Sequence, residues 1–291
     1  MDFPSPTSHR TTLVTTPFSR SDLADLAAIL AEAADREILP HFRRLADDDV
    51  STKSGPLDLV TVADRAAERH IAERLADRFP GALVVGEEGC AADTTLLDRL
   101  ASAERAIVVD PIDGTFNFAA GLPLFGVMAA VVIDGRTVAG VIHDPIGGDH
   151  LCALAGEGAW SVGRDGGSPR PLRVAPPAPV AAMHGPLSWP GLPSPDRERV
   201  AARQARLAMA YCLRCAAHEY RLIATGAAHL ALYGKLMPWD HLAGALIHAE
   251  AGGHSARLDG STYRPHHRDG GLLLAPDEAS WHALHEALLG D

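Results

Sequence analysis

The stretch Ile107-Val108-Val109-Asp110-Pro111-Ile112-Asp113-Gly114-Thr115-Phe116 begins as an apolar, β-branched run, the pattern of a buried strand. It then delivers two carboxylates, Asp110 and Asp113, close together in the chain. Pro111 cannot donate a ladder hydrogen bond, so the strand is expected to stop there. Gly114 permits a sharp turn and a close backbone approach, and Thr115 stands where a new helix can start. Carboxylates at a strand end suit a hard cation such as Mg²⁺. Free N–H groups at Gly114 and Thr115 suit a phosphate. Taken alone, the same residues also make an ordinary turn.

The chain around this stretch has 291 residues, 47% hydrophobic and 22% charged, the balance of a globular protein with room for a sizeable core. A net charge of −11 with no long basic run argues against nucleic acid as a partner. The same charge repels a phosphate, so a phosphate-binding reading requires bound cations to invert the local potential. Cys90, Cys152, Cys212 and Cys215 are too scattered for a disulfide framework. The pair Cys212 and Cys215 has no second ligand pair, so both are read as buried thiols. No apolar run is long enough for a membrane span, and residues 1–20 read as a mobile tail without a signal-peptide pattern. A cytoplasmic protein is expected.

Outward from the central stretch, apolar spacing predicts a helix from Ser21 to about Arg44, ended or kinked by Pro40. A short extended piece follows at Leu59–Val62. Asp64 then reads as the N-cap of a second helix running to about Phe79. A strand at Ala82–Val85 ends in Gly86-Glu87-Glu88-Gly89, again putting carboxylates where ligands of α/β sheets tend to sit. Asp134-Gly135 marks a hairpin between strands at Gly126–Ile133 and Thr137–Ile142, with a third strand at His150–Ala155. A boundary between two halves, 21–185 and 186–291, is placed where prolines cluster. A strand is expected at Val180–Met183, next to the boundary, followed by helices near Asp196–Leu207 and Arg214–Gly226 and an extended Leu230–Tyr233. A helix opened by Trp239-Asp240, a strand at Gly271–Ala275 and a helix at Glu278–Leu289 complete the second half. Strands and helices mix throughout, which predicts a layered α/β or α+β fold.

Asp64, Glu87, Asp110, Asp113 and Asp240 each lie at the end of an apolar element. Four motifs occur in order from about Ser21 onward. They are Lys53 through Asp58 to Asp64; Gly86-Glu87-Glu88; Asp110-Pro111-Ile112-Asp113-Gly114-Thr115 with Asn117-Phe118; and Trp239-Asp240 with Gly244 and Glu250-Ala251-Gly252-Gly253. In these motifs the chain resembles the inositol monophosphatase family of Mg²⁺-dependent phosphomonoesterases. The resemblance implies a layered αβαβα fold, usually dimeric, and two or three Mg²⁺ per site. It also implies that Glu87, Asp110 and the Ile112 carbonyl hold one ion, and Asp110, Asp113 and Asp240 a second. Metal-activated water would attack the phosphorus, oriented by Thr115 and Asp64, with Glu87 also in the catalytic set. Gly114 and Thr115 would hold phosphate oxygens, and Glu88 and Lys53 would support the metal ligands.

The match weakens in the substrate wall. A glycine-serine-alanine run expected by the resemblance is replaced by Cys215-Ala216-Ala217-His218-Glu219-Tyr220, and a glutamate before the last metal aspartate by Tyr233. Tyr233, Lys235 and His218 are therefore the candidate substrate residues. The expected partner is a small phosphorylated metabolite: an inositol-like, sugar, polyol or amino-alcohol phosphate. Histidinol phosphate, fructose 1,6-bisphosphate and 3′-phosphoadenosine 5′-phosphate are alternatives, because related families share these motifs. A non-catalytic phosphate-ligand binding protein is the alternative of another class. A calcium-binding structural domain is disfavoured, since no D-x-D-x-D-G loop is present.

Overall fold

A computed structural model describes residues 18–55 and 58–290; residues 1–17 of the expected tail lie outside that range. In chain order the helices are α1 (Arg20–Ala33), α2 (Val62–Arg78), α3 (Glu87–Ala92), α4 (Thr95–Leu100), α5 (Thr115–Ala119), α6 (Asp196–Arg203), α7 (Ala216–Ala224), α8 (Pro238–Glu250) and α9 (Glu278–Leu289). The strands are β1 (Val50–Gly55), β2 (Asp58–Thr61), β3 (Leu83–Gly86), β4 (Arg105–Asp113), β5 (Gly126–Ile133), β6 (Arg136–Asp144), β7 (Asp149–Leu154), β8 (Gly158–Val162), β9 (Arg170–Pro171), β10 (His184–Ser188), β11 (Met209–Tyr211), β12 (Ala231–Tyr233), β13 (His254–Arg257) and β14 (Leu272–Ala275).

The strands form a seven-stranded sheet in the order β3 to β9, a five-stranded sheet in the order β11-β10-β12-β14-β13, and the β1–β2 ribbon. Side chains alternate across a strand, and the large sheet uses both faces. Ile107, Val109, Val127, Ala129 and Val131 point toward α1 and α2, whose Leu26, Leu30, Ala67 and Ile71 complete that core. Val108, Met128, Ala130, Val132 and Ile142 point the other way, onto Tyr220, Ile223, Leu242 and Ile247 of α7 and α8. Burial on both faces explains why β4 reads as an unbroken apolar run. The second sheet packs Ala231, Leu272 and Leu274 on the same central helices. Its outer face, with Leu232 and Leu273, meets Trp281, Leu284 and Leu288 of α9. The result is five layers, αβαβα.

Several expectations are corrected. The first helix is regular α only over Arg20–Ala33; Ala34–Ile38 is a π turn and Leu39–His41 a 3₁₀ turn, because Pro40 lacks the N–H the ladder needs. Phe18, within the expected tail, is buried and packs on Phe79 at 5.4 Å. Val180–Ala182 is a 3₁₀ turn, and the strand comes after it as β10. Strand β13 and helix α3 were not foreseen. Pro111 does not end β4: the strand runs to Asp113, with the register shifting between Asp110 and Asp113, so the missing N–H falls in a bulge where no ladder bond is required.

Candidate active site

Strands β3 and β4 run parallel, with Gly86 opposite Val109. Glu87, the first residue of α3, therefore stands beside Asp110. The bulge carries Ile112 and Asp113 on to the end of β4, and the Ile112 amide donates to Asp110 Oδ1 at 3.1 Å. Gly114 then turns the chain at φ +87°, where a Cβ would meet the Leu124 carbonyl at 2.8 Å; only glycine fits there. Asp240 arrives in the first turn of α8, which Pro238 opens. Glu87, Asp110, Ile112, Asp113, Gly114, Thr115 and Asp240 all border one cleft of about 630 Å³, with Tyr233 and Lys235 on its wall.

Asp64 lies just behind the cleft and is fully buried. It is not the N-cap of α2: Thr61 is, and Asp64 closes a capping box with it. The Thr61 amide and hydroxyl donate to Asp64 Oδ2 at 2.8 and 2.6 Å. The other oxygen, Oδ1, is 2.9 Å from Thr115 Oγ1, which is also 2.8 Å from the Ile112 carbonyl. One hydroxyl proton serves two acceptors, so it can move between them. Burial pushes the Asp64 pKa up to about 6, against the pull of its Thr61 and Thr115 hydrogen bonds.

The remaining acids disfavour one another's charge. Burial, then the neighbouring Glu87, Asp113 and Asp240, hold Asp110 well above the usual carboxylate range. Asp240 is raised by burial and by Glu87 and Asp113, while Lys235 and a hydrogen bond with Asp110 oppose the shift. Burial pushes Glu87 up to about 7, although Lys53 pulls the other way. Lys53 reaches in from β1 and donates to Glu87 Oε1 at 2.8 Å and Glu88 Oε1 at 2.5 Å. Burial works against the Lys53 charge, but the two glutamates outweigh it and raise its pKa.

Buried acids must be neutralised by protons or by cations. An all-oxygen, anionic donor set in a cleft fits a hard divalent ion such as Mg²⁺. The residues that would hold it are Glu87, Asp110, Asp113, Asp240 and the Ile112 carbonyl. Among the described residues, no three acidic, histidine or cysteine side chains already converge on one point. Asp113 Oδ2 is engaged instead by the Cys215 thiol at 3.0 Å and the Ala217 amide at 2.6 Å.

His218 does not border the cleft. Its Nε2 lies 3.2 Å from the Phe125 carbonyl, because the α7 turn that aims Glu219 inward sends His218 toward β5. Cys215 is buried but Cys212 is exposed, which corrects the reading of both as buried thiols. Three contributors were missed. Glu68, one turn beyond Asp64 on α2, accepts the Glu88 and Gly89 amides at 2.7 and 2.6 Å and so fixes the start of α3; its i+4 spacing from Asp64 was the available signal. Glu219 faces the cleft from α7. Arg214, at φ +55°, lays its guanidinium over the Phe116 ring at 3.8 Å, and nothing local in the sequence signals that stack.

Comparison with known proteins identifies the family. A family model described as "Inositol monophosphatase family" matches residues 20–291. The chain is 30% identical to a Thermotoga maritima "Fructose-1,6-bisphosphatase/inositol-1-monophosphatase" over 80% of this chain and 83% of the relative. It is 34% identical to a Mycobacterium tuberculosis "Histidinol-phosphatase" over 83% and 89%. The solved structure of inositol monophosphatase-II from Staphylococcus aureus superposes with a TM-score of 0.77 at 25% identity, covering 93% of this chain and 94% of that one. Family and relatives make the chain a phosphoric monoester hydrolase. The chain belongs to the inositol monophosphatase family, whose members are generally metal-dependent. Among the described residues no helix is long and apolar enough to cross a membrane.

Proposed function

We propose that this chain hydrolyses a small phosphomonoester using two or three Mg²⁺ ions held by Glu87, Asp110, Asp113, Asp240 and the Ile112 carbonyl. A divalent cation held there would withdraw charge from the phosphate oxygens and make water a stronger acid. The observation that carries the reading is the Thr115–Asp64 contact of 2.9 Å at the edge of this acidic cleft. Thr115 Oγ1 receives the proton of the attacking water and passes its own to Asp64. Burial gives Asp64 a proton affinity near neutrality, which suits a general base. Thr61 holds Asp64 from behind, so the base keeps its orientation as it accepts the proton. The Gly114 and Thr115 amides hold phosphate oxygens at the start of α5. Lys53 and Glu88 keep Glu87 turned toward the cleft. The protein is further read as a cytoplasmic homodimer, which sedimentation and cell fractionation test.

The decisive experiment measures phosphate release from inositol 1-phosphate, histidinol phosphate, fructose 1,6-bisphosphate and 3′-phosphoadenosine 5′-phosphate, with Mg²⁺ and then with EDTA. Turnover that EDTA abolishes is expected. Full activity in the chelator, or no turnover of any phosphomonoester, rejects the reading.

A further inference from the structure

The cleft contains an acid outside the proposed metal set. Glu219 is 1% exposed, and Tyr233 beside it is 4% exposed; both border the cleft. One Glu219 oxygen accepts the Leu213 amide at 2.8 Å. Its other near neighbours are the Asp113 carboxylate, the Tyr233 phenol and the Cys212 thiol. None of these carries positive charge. Tyr233 is stacked on Tyr220 at 5.4 Å. Its hydroxyl faces Glu219 but makes no well-formed hydrogen bond. A buried hydroxyl in poor hydrogen-bond geometry is costly, and a buried carboxylate with one well-formed hydrogen bond is costlier. The fold carries both costs at one point of the cleft wall.

We infer that Glu219 and the Tyr233 hydroxyl together receive a hydrogen-bond-donating group on the leaving alcohol, close to the phosphate. The inference rests on the phosphatase reading above. A carboxylate accepts and a phenol both accepts and donates, so the pair can take two hydrogens from one substituent. An ammonium and a hydroxyl share this chemistry. Either donor suits the pair, and the substrates compared below tell them apart. The basic groups of the cleft act elsewhere: Lys235 in the field of Asp240, Arg214 flat on Phe116.

The test compares kcat/KM for O-phosphoethanolamine, glycerol 2-phosphate and n-propyl phosphate at saturating Mg²⁺, in the wild type, Glu219→Gln and Tyr233→Phe. The glutamine keeps an oxygen for the Leu213 amide. The phenylalanine removes a hydroxyl that makes no well-formed hydrogen bond, so its melting temperature should change little. The wild type is expected to prefer phosphoethanolamine to propyl phosphate by about tenfold or more. Each variant should erase most of that preference, chiefly through KM. The same pattern with glycerol 2-phosphate supports the pair and makes the donor a hydroxyl. Hydrolysis of propyl phosphate without any donor preference, or a preference that survives in both variants, overturns the inference alone. No hydrolysis of any of the three by the wild type overturns the phosphatase reading and this inference with it.

Discussion

Glu68 and Gly86 are fitted to each other: a Cβ at residue 86 would lie 2.2 Å from the Glu68 carboxyl carbon. The missing side chain lets that carboxylate reach the first amides of α3, which seats Glu87 and Glu88 at the cleft. Gly86→Ala must therefore displace Glu68. Glu68→Gln keeps its size but leaves one acceptor oxygen for two amides. Both variants are expected to raise the Mg²⁺ concentration for half-maximal activity by about tenfold or more, the usual effect of losing a group that orients a metal ligand. Activation curves, with Mn²⁺ binding measured directly, check this. Lower stability with unchanged metal affinity would make Glu68 a helix cap and nothing else.

Thr115→Ala separates packing from chemistry. The hydroxyl bonds Asp64 and the Ile112 carbonyl, and losing it as a structural hydrogen bond alone costs about 1 kcal/mol. As the relay to Asp64, its loss lowers kcat by on the order of 10²-fold or more, with folding retained. Steady-state kinetics beside a melting curve distinguish the two. A drop in melting temperature with normal kcat rejects the relay.

The acidic cluster gives the protein a pH signature. Glu87 ionises near 7 rather than 4.5, and Asp110 and Asp240 are raised in the same direction. Such groups hold protons in the fold that the unfolded chain releases. For Glu87 the contribution to stability is therefore complete below about pH 4.5 and is lost as the pH rises through about 7; Asp110 and Asp240 act in the same direction. Buried His143 and His248, lowered by burial to about 4 and about 3, act oppositely: their contribution is present above about pH 6.5 and lost on acidification. The increment that Mg²⁺ adds to the EDTA-treated protein isolates the acids. It should be larger at pH 8 than at pH 5.5, because protons compete with the cation. Differential scanning fluorimetry at both pH values measures it, and an increment independent of pH contradicts the assigned ligands.

Inositol 1-phosphate is not expected to be the best substrate. Tyr233 offers one oxygen and a large ring where a carboxylate would accept hydrogen bonds from two adjacent sugar hydroxyls. Polyol hydroxyls left unpaired in a pocket lose discrimination steeply. The comparison is kcat/KM against histidinol phosphate, fructose 1,6-bisphosphate and 3′-phosphoadenosine 5′-phosphate at equal Mg²⁺. A tenfold advantage for inositol 1-phosphate, about 1.4 kcal/mol, would reverse this reading of the wall.

Much of the molecule is written locally in the chain. The unbroken apolar run of β5, the Asp134-Gly135 turn and the helix over Glu278–Leu289 are all legible, because each rests on residues close together in the chain. So is the turn at Gly114, where a residue without a Cβ is needed. What the sequence could not decide depends on neighbours distant in the chain. Pro111 stays inside β4 because β5 shifts register beside it. Glu87 meets Asp110 because β3 and β4 pair in parallel, and Asp240 joins them because α8 packs between the two sheets. His218 and Glu219 are adjacent on α7, yet packing against β5 turns one to a backbone carbonyl and the other into the cleft. Residue types fixed the kind of chemistry; side-chain direction, and with it the shape of the substrate wall, is set by tertiary packing, which acts over contacts that no local pattern encodes.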